Sequence, residues 1–138
     1  MSYLLDTNVI SELVRTRPNP NVVEWIDGLP LEAFSLSVLS LGEIRKGVER
    51  LATGNRRERL IAWLEHDLLR WFGDRILPID SVVADRWGLL IARMERSVPA
   101  IDSLLAATAL THGLTLATRN VGDFDFPDLN IVNPWDET

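Results

Sequence analysis

Hydrophobic residues along this chain fall into two patterns, short continuous runs and longer stretches with helical spacing. Continuous apolar runs are typical of strands that a parallel sheet buries on both faces, and the spaced stretches predict amphipathic helices. Strands are predicted at residues 3–5, 34–37, 75–79, 114–118 and 129–132. Helices are predicted at about residues 9–14, 20–28, 38–51, 56–72, 83–94 and 101–111. This alternation favours parallel pairing, so residues 1–138 are predicted to form a single α/β domain with three layers, α/β/α.

Composition narrows the class of protein. A chain of 138 residues, 46% of them hydrophobic, is long enough for one domain with a proper core and too short for two. The absence of cysteine excludes disulfides and thiolate metal sites. No secretory signal pattern opens the chain and no apolar run approaches membrane-spanning length, so we expect a cytoplasmic protein without membrane contacts.

The formal net charge of −6 argues against a protein that coats nucleic acid through bulk positive charge. It does not exclude a nuclease, because a carboxylate metal site is itself acidic and its cations offset part of that charge. The basic residues are unevenly placed, and one short span contains Arg45, Lys46, Arg50, Arg56, Arg57 and Arg59. Two interpretations stay open for this span, a guide for a phosphate backbone and an ordinary solvated helix face.

Four acidic residues occupy special places in the predicted fold. Asp6 ends the first strand, and Asp123 follows the fourth strand. Glu43 and Asp102 lie in the first turns of predicted helices. Because the ends of parallel strands and the starts of the following helices share one edge of a sheet, all four carboxylates are predicted to point into one crevice.

Each acid also has a plain structural alternative. Asp6 is a good helix cap, Asp102 suits the positive end of a helix dipole, and Asp123 suits an Asx turn. Glu43 has nearby bases with which to form a surface pair, namely Lys46 and Arg50. Asp80 has the same local context as Asp6, and we interpret it as a helix cap only.

Two glycines, Gly42 and Gly47, flank Glu43 inside a predicted helix. Each costs about 1 kcal/mol relative to alanine there, which predicts that the backbone is exposed or closely approached at this point.

The joint pattern of acids predicts a hard oxygen site. Several carboxylates without histidine or cysteine suit Mg²⁺ or Mn²⁺. The two histidines, His66 and His112, lie outside the pattern.

Four segments of the chain, in order, resemble the motifs of PIN-domain ribonucleases. They are Leu5-Asp6-Thr7-Asn8-Val9-Ile10-Ser11, Leu41-Gly42-Glu43-Ile44-Arg45-Lys46-Gly47, Asp102-Ser103-Leu104-Leu105-Ala106-Ala107-Thr108-Ala109 and Thr118-Arg119-Asn120-Val121-Gly122-Asp123-Phe124. With the ending Val132-Asn133-Pro134-Trp135, the chain is similar to VapC/FitB-type toxins of bacterial toxin–antitoxin pairs over nearly its whole length.

The resemblance implies a five-stranded parallel sheet in the order 3-2-1-4-5 and an acidic quartet of Asp6, Glu43, Asp102 and Asp123. Asp6, Asp102 and Asp123 are expected to contact the metal, and Glu43 is expected to bind a second ion or to position water. The resemblance gives supporting polar roles to Thr7, Asn8, Thr118 and Asn120. Asp125 is a weaker candidate, and the link from Arg96 to Ile101 is shorter than many relatives carry.

The activity that this resemblance implies is Mg²⁺- or Mn²⁺-dependent hydrolysis of RNA by a toxin that a small antitoxin inhibits. We also expect a homodimer, because five tryptophans and a leucine-rich helix supply more apolar surface than so small a core can bury. A toxin–antitoxin complex on promoter DNA is expected as well. A catalytically silent PIN-fold module that serves only DNA-bound autoregulation with an antitoxin is the main alternative. A phosphate-transfer enzyme or receiver domain fits less well, since Asn8 stands where a second aspartate is needed and the only lysine is Lys46.

Overall fold

Five short parallel strands form the central sheet of this protein, whose computed structural model describes residues 1–136. The strands are Tyr3–Leu5 (β1), Phe34–Ser37 (β2), Ile76–Leu77 (β3), Thr115–Ala117 (β4) and Ile131–Val132 (β5). The α-helices are Thr7–Leu13 (α1), Pro20–Asp27 (α2), Val38–Glu49 (α3), Asn55–Ala62 (α4), Leu69–Phe72 (α5), Ser81–Ala92 (α6) and Ala100–His112 (α7). A π-helical segment, Trp63–Leu68, joins α4 to α5, and short 3₁₀ turns cover Leu31–Ala33, Gly73–Arg75 and Val121–Phe124.

The sheet has the strand order β3-β2-β1-β4-β5, which confirms the predicted topology. β1 is central, because Leu5 pairs with Leu36 of β2 on one side and with Ala117 of β4 on the other. The predicted third strand, residues 75–79, is too long, since only Ile76 and Leu77 pair with β2. The carboxyl ends of β1, β2 and β4 therefore meet at one edge of the sheet.

Alternate side chains of β1 enter two separate cores. Leu5 belongs to the core that β2 shares with α1, α2, α3 and the helical stretch from 55 to 72. Leu4 belongs to the core that β4 shares with α6 and α7. Burial on both faces explains why the first strand is a continuous apolar run. Val38, the first residue of the predicted helix 38–51, is apolar but not buried, since it is 37% exposed.

Three helix ends have clear local causes, and one of them confirms the predicted cap Asp80. The Asn19 side chain accepts the backbone N–H of Asn21 at 2.9 Å, directly before Pro20 opens α2. The Asp80 side chain accepts the N–H of Val83 at 2.9 Å and caps α6. Gly113 ends α7 with φ of 65°, a left-handed conformation that favours glycine.

The helical stretch from 55 to 72 differs from the uniform helix that its periodicity predicts. Its buried residues Leu64, Leu68 and Phe72 are spaced by four. In an ideal α-helix each four-residue step overshoots a full turn by about 40°. The wider turns of the π-helical segment correct this drift, so that all three side chains face the same core.

Among the described residues no helix is both long and apolar enough to cross a membrane.

Candidate active site

Asp6 lies at the carboxyl end of β1 and caps α1. Its backbone N–H donates to the carbonyl of Ala117 at 2.9 Å, which fixes it against β4. One carboxylate oxygen, Oδ1, accepts the N–H of Thr7 at 2.7 Å, and Oδ2 accepts the hydroxyl of Thr118 at 2.8 Å. The residue is only 7% exposed. The capping interpretation is therefore confirmed for this side chain, and its role in a metal site stays a prediction.

Burial raises the pKa of the Asp6 carboxyl above its ordinary value. The hydrogen bonds from Thr118 and Thr7 oppose this rise, because they stabilise the carboxylate. The negative charges of Glu43 and Asp123 raise the pKa further. The carboxylate is thus held in place by two donors, yet no cation in the described residues forms an ion pair with it.

Glu43 reaches the same edge from α3, which begins directly after β2 at the cap Ser37. Its Oε1 accepts the hydroxyl of Thr7 at 2.6 Å. Among residues 1–136 no base pairs with it, so the alternative of a surface pair with Lys46 or Arg50 is wrong.

The neighbouring glycines leave open space. A Cβ added at Gly42 or Gly47 would meet nothing within 4 Å, so packing within the described chain does not explain them. Both glycines are exposed, which agrees with the first of the two predicted explanations, an exposed backbone.

Asp102 lies in the first turn of α7, and Asp123 lies in the 3₁₀ turn after β4. Burial is the main cause that raises the pKa of the Asp102 carboxyl, and the charges of Asp6, Asp123 and Glu43 add to it. The charges of Asp6, Asp123 and Glu43 thus act on Asp102, so the four carboxylates lie near the same carboxyl edge of the sheet. We call this set of Asp6, Glu43, Asp102 and Asp123 the acid crevice.

The polar side chains predicted to support the acids form a connected network. The fully buried Thr118 hydroxyl donates to Asp6 and accepts both the N–H of Asn120 at 3.0 Å and the Nδ2–H of Asn8 at 3.3 Å. Thr7 supports Glu43, as described above. Asn120 takes part through its backbone N–H, and its side chain is exposed. Asp125 stays outside the network, and Arg96 donates to its backbone carbonyl at 3.3 Å.

The basic span on α3 and α4 divides into paired and unpaired residues. Arg45 forms ion pairs with Glu49 at 3.2 Å and with Glu65 at 3.0 Å, and Arg57 also pairs with Glu49. The remaining four, which form no ion pair within the described part of the chain, are Lys46, Arg50, Arg56 and Arg59.

A groove of about 410 Å³ opens beside Glu43 and Asn8. Its walls include Arg15, Arg56, Trp63, Arg119 and Trp135. Sequence reasoning assigned no role to Arg119 or Trp135, although both stand inside segments singled out for other residues. A larger cavity, about 580 Å³, lies beside the amino end of β1 near Tyr3 and Trp25, and none of the four acids lines it.

The buried acid Glu12 at the groove wall was also missed. It is 5% exposed, and its Oε2 accepts the N–H of Asn19 at 2.8 Å while Oε1 accepts from Arg15 at 3.2 Å. Its only local signal is the i,i+3 spacing to Arg15, which marks an ordinary ion pair, whereas Asn19 lies seven positions further along the chain.

The acid crevice has the chemistry of a site for a hard divalent cation. All its ligand candidates are carboxylate oxygens, which Mg²⁺ and Mn²⁺ prefer. No three acidic or histidine side chains of residues 1–136 lie close enough together to coordinate one ion in this arrangement. No cation of the described residues pairs with any of the four carboxylates either, so the crevice is an uncompensated negative cluster.

Comparison with known proteins places this architecture in a family. Residues 3–129 match the PIN domain. The chain is 42% identical to toxin FitB of Neisseria gonorrhoeae over 135 residues, which cover 96% of this chain and 97% of the relative. It is 37% identical to VapC ribonuclease Y4jK of Sinorhizobium fredii, with 96% and 97% covered.

A solved structure of FitAB bound to an IR36 DNA fragment contains a chain that is 40% identical and superposes with a TM-score of 0.90. The match covers 99% of this chain and 97% of that one. The parallel sheet order, the acid crevice at its carboxyl edge and these matches lead to one conclusion: the chain belongs to the PIN-domain family.

Proposed function

We propose that residues 1–138 act as one PIN domain, a divalent-metal-dependent ribonuclease that serves in the cytoplasm as the toxin of a toxin–antitoxin pair. The observation that carries this proposal is the acid crevice, in which the charges of carboxylates from four separate segments act on one another without a paired cation in the described residues. Relatives that cover nearly the whole chain are named as a toxin and as a ribonuclease, which supports the same activity.

Asp6, Asp102 and Asp123 would hold Mg²⁺ or Mn²⁺, and Glu43 would bind a second ion or position the attacking water. A divalent cation bound there would lower the pKa of a water molecule and offset the charge of the reacting phosphate. The protein supplies the orientation: Thr118 fixes one oxygen of Asp6, and Thr7 fixes one oxygen of Glu43. Such outer hydrogen bonds keep ligand oxygens directed at the ion.

The test is a cleavage assay with single-stranded RNA in Mg²⁺, in Mn²⁺ and in excess EDTA. Cleavage in either metal and none in EDTA is the expected result. The main alternative is a silent module that acts only with an antitoxin on DNA, and it requires RNA to stay intact under all three conditions. Cleavage that persists in EDTA would reject the metal mechanism.

The proposed inhibitor is a small antitoxin that lays a segment along the crevice and inserts a basic side chain, most suitably arginine, among the four acids. Arginine stays charged and binds carboxylates through two hydrogen bonds. The FitAB structure on DNA supports the further proposal of a toxin–antitoxin complex on promoter DNA. A co-purified partner that left the crevice open to metal would contradict the inserted side chain.

We also propose a homodimer. Several large apolar side chains are exposed, among them Leu69 at 44%, Trp71 at 47%, Val82 at 62% and Leu89 at 52%. Apolar surface of this kind is typical of subunit interfaces. Light scattering at micromolar concentration should report twice the mass of the chain, and a monomer would contradict the proposal.

A further inference from the structure

Arg119 and Trp135 form a pair at the groove beside the acid crevice. The Arg119 guanidinium lies over the Trp135 ring, 5.4 Å from its centroid. Both residues line the groove that also contains Glu43 and Asn8. Arg119 directly follows Thr118, whose hydroxyl donates to Asp6, and the Arg119 side chain forms no ion pair in the described part of the chain.

The tryptophan of this pair is held by its backbone. Its N–H donates to Oδ1 of Asn133 at 3.0 Å, and its carbonyl accepts Nδ2–H of Asn21 at 2.8 Å. Asn133 follows β5 and Asn21 belongs to α2, so two separate elements fix the position of the ring. The ring face attracts a cation electrostatically, which favours the observed guanidinium position.

The groove is lined by charges of both signs. Its acids are Glu43 of the crevice and Glu12, and its bases are Arg15, Arg56 and Arg119. Arg15 is already paired with Glu12, but Arg56 and Arg119 form no ion pair among residues 1–136. Because Glu43 of the acid crevice and these arginines line the same groove, a phosphate next to the reacting one would have a cationic partner there. With its volume of about 410 Å³, the groove is in the size range of small-ligand sites.

We propose that Arg119 binds a phosphate of single-stranded RNA next to the scissile bond and that Trp135 is a positioning residue that keeps the guanidinium in place. This inference rests on the proposed function and adds the site that aligns the substrate. Arginine suits the role because its planar guanidinium binds phosphate through two hydrogen bonds. Recognition of unpaired RNA by an arginine plane beside an aromatic ring follows the general chemistry of single-strand binding.

The experiment compares wild type with Arg119→Ala, Arg119→Lys, Trp135→Ala and Trp135→Phe. Arg93→Ala is the matched control, since Arg93 is also exposed and without an ion pair in the described residues, and it lines a different cavity near Leu110. Initial rates on a single-stranded RNA oligonucleotide in Mg²⁺ give KM and kcat separately. Fluorescence anisotropy of the same RNA in EDTA gives its Kd without any cleavage.

Arg119→Ala should raise KM and Kd about tenfold, leave kcat within about threefold and lower the salt dependence of binding by about one phosphate contact. Arg119→Lys should keep part of the affinity that Arg119→Ala loses, since lysine retains the charge but lacks the planar guanidinium that donates two hydrogen bonds. Trp135→Phe should stay close to wild type, whereas Trp135→Ala should show a smaller rise in KM than Arg119→Ala. Arg93→Ala should change neither constant.

An unchanged KM and Kd for Arg119→Ala would overturn the proposal, as would an equal effect of Arg93→Ala. So would a loss of antitoxin affinity in Arg119→Ala without any loss of RNA affinity, which would make the pair a protein contact. The outcomes for the two proposals can be told apart. If wild type does not cleave RNA but still binds it through Arg119, only the proposed ribonuclease activity is rejected. Melting temperatures of all variants identify any change that comes from misfolding.

Discussion

Charged side chains are arranged in opposite ways in the acid crevice and on the face formed by α3 and α4. On that face Glu49 pairs with two arginines, Arg45 and Arg57, and Glu65 pairs with Arg45 again. In the crevice the four carboxylates have no paired cation among the described residues. The charges of Arg45, Arg57, Glu49 and Glu65 are neutralised by their own ion pairs, whereas the crevice keeps an excess of negative charge.

This difference shows what the two regions can do. Opposite charges at a surface add little stability and leave little field for a partner. Burial raises the pKa values of Asp6 and Asp102, the like charges of the crevice raise them further, and both effects cost stability until a cation arrives. The region that is unfavourable in isolation is therefore the one prepared for a ligand.

The largest effect is expected from Asp6→Asn. It should lower the rate of RNA cleavage by at least about a thousandfold, because it removes a charged ligand from the proposed metal site. Asparagine is also a good cap, so α1 should survive and the melting temperature should change little.

Asp80→Asn is the control for this change. Asp80 caps α6 in the same way but lies outside the crevice, so its variant should cleave at the wild-type rate. Equal rates for the two variants would remove Asp6 from the site.

Thr118→Val should have the next largest effect, a fall of about 10- to 100-fold in kcat/KM. The substitution nearly keeps the shape but removes the hydroxyl that donates to Asp6, and outer partners of metal ligands have effects of this size. Thr108→Val is the matched control for Thr118→Val, since Thr108 is equally buried and its hydroxyl donates only within α7, to the carbonyl of Leu104. If both valine variants lose the same activity, the loss reflects packing and not the orientation of Asp6.

Asp102→Asn should stabilise the metal-free protein at neutral pH by about 0.5–1 kcal/mol, a range that allows for solvent screening of this partly exposed carboxylate. The folded-state pKa of Asp102 is raised. Its ionisation therefore costs stability above that pKa, and the gain of the variant should fade as the pH drops towards the ordinary pKa of aspartate.

Melting temperatures in EDTA and in saturating Mg²⁺ measure this effect. In Mg²⁺ the difference in melting temperature between Asp102→Asn and wild type should shrink or reverse, because an ion that binds the folded state stabilises wild type more than the variant. Asp80→Asn should be nearly neutral in both buffers. If Asp102→Asn behaved in the same way, Asp102 would not belong to a metal site.

Glu49→Gln should have the smallest effect, on the neutralised face. The melting temperature should shift by less than about 2 °C, because exposed pairs contribute little. RNA affinity should rise a few-fold at low salt, since Arg45 and Arg57 lose a shared partner, and this rise should vanish at high salt. Glu58→Gln removes the same charge from an α4 residue that forms no ion pair within 1–136. An equal rise there would show a general charge effect.

The sequence by itself determined the elements and the edge at which the acids meet. Burial on both faces produces continuous apolar runs such as the one before Asp6, and capping residues such as Asn19 and Asp80 mark helix starts. These signals are local, since each depends on neighbours within one turn or one strand. The parallel alternation then places strand ends and helix starts at one edge.

Only the tertiary structure decided which side chains are partners. Thr7 meets Glu43 across 36 positions and Thr118 meets Asp6 across 112, whereas Arg45 is neutralised by Glu65 on a different helix. The arginine over Trp135 and the π-helical segment were likewise absent from any local pattern. Such contacts depend on distances of a few ångström between segments far apart in the chain, and hydrophobic periodicity carries no information about those distances.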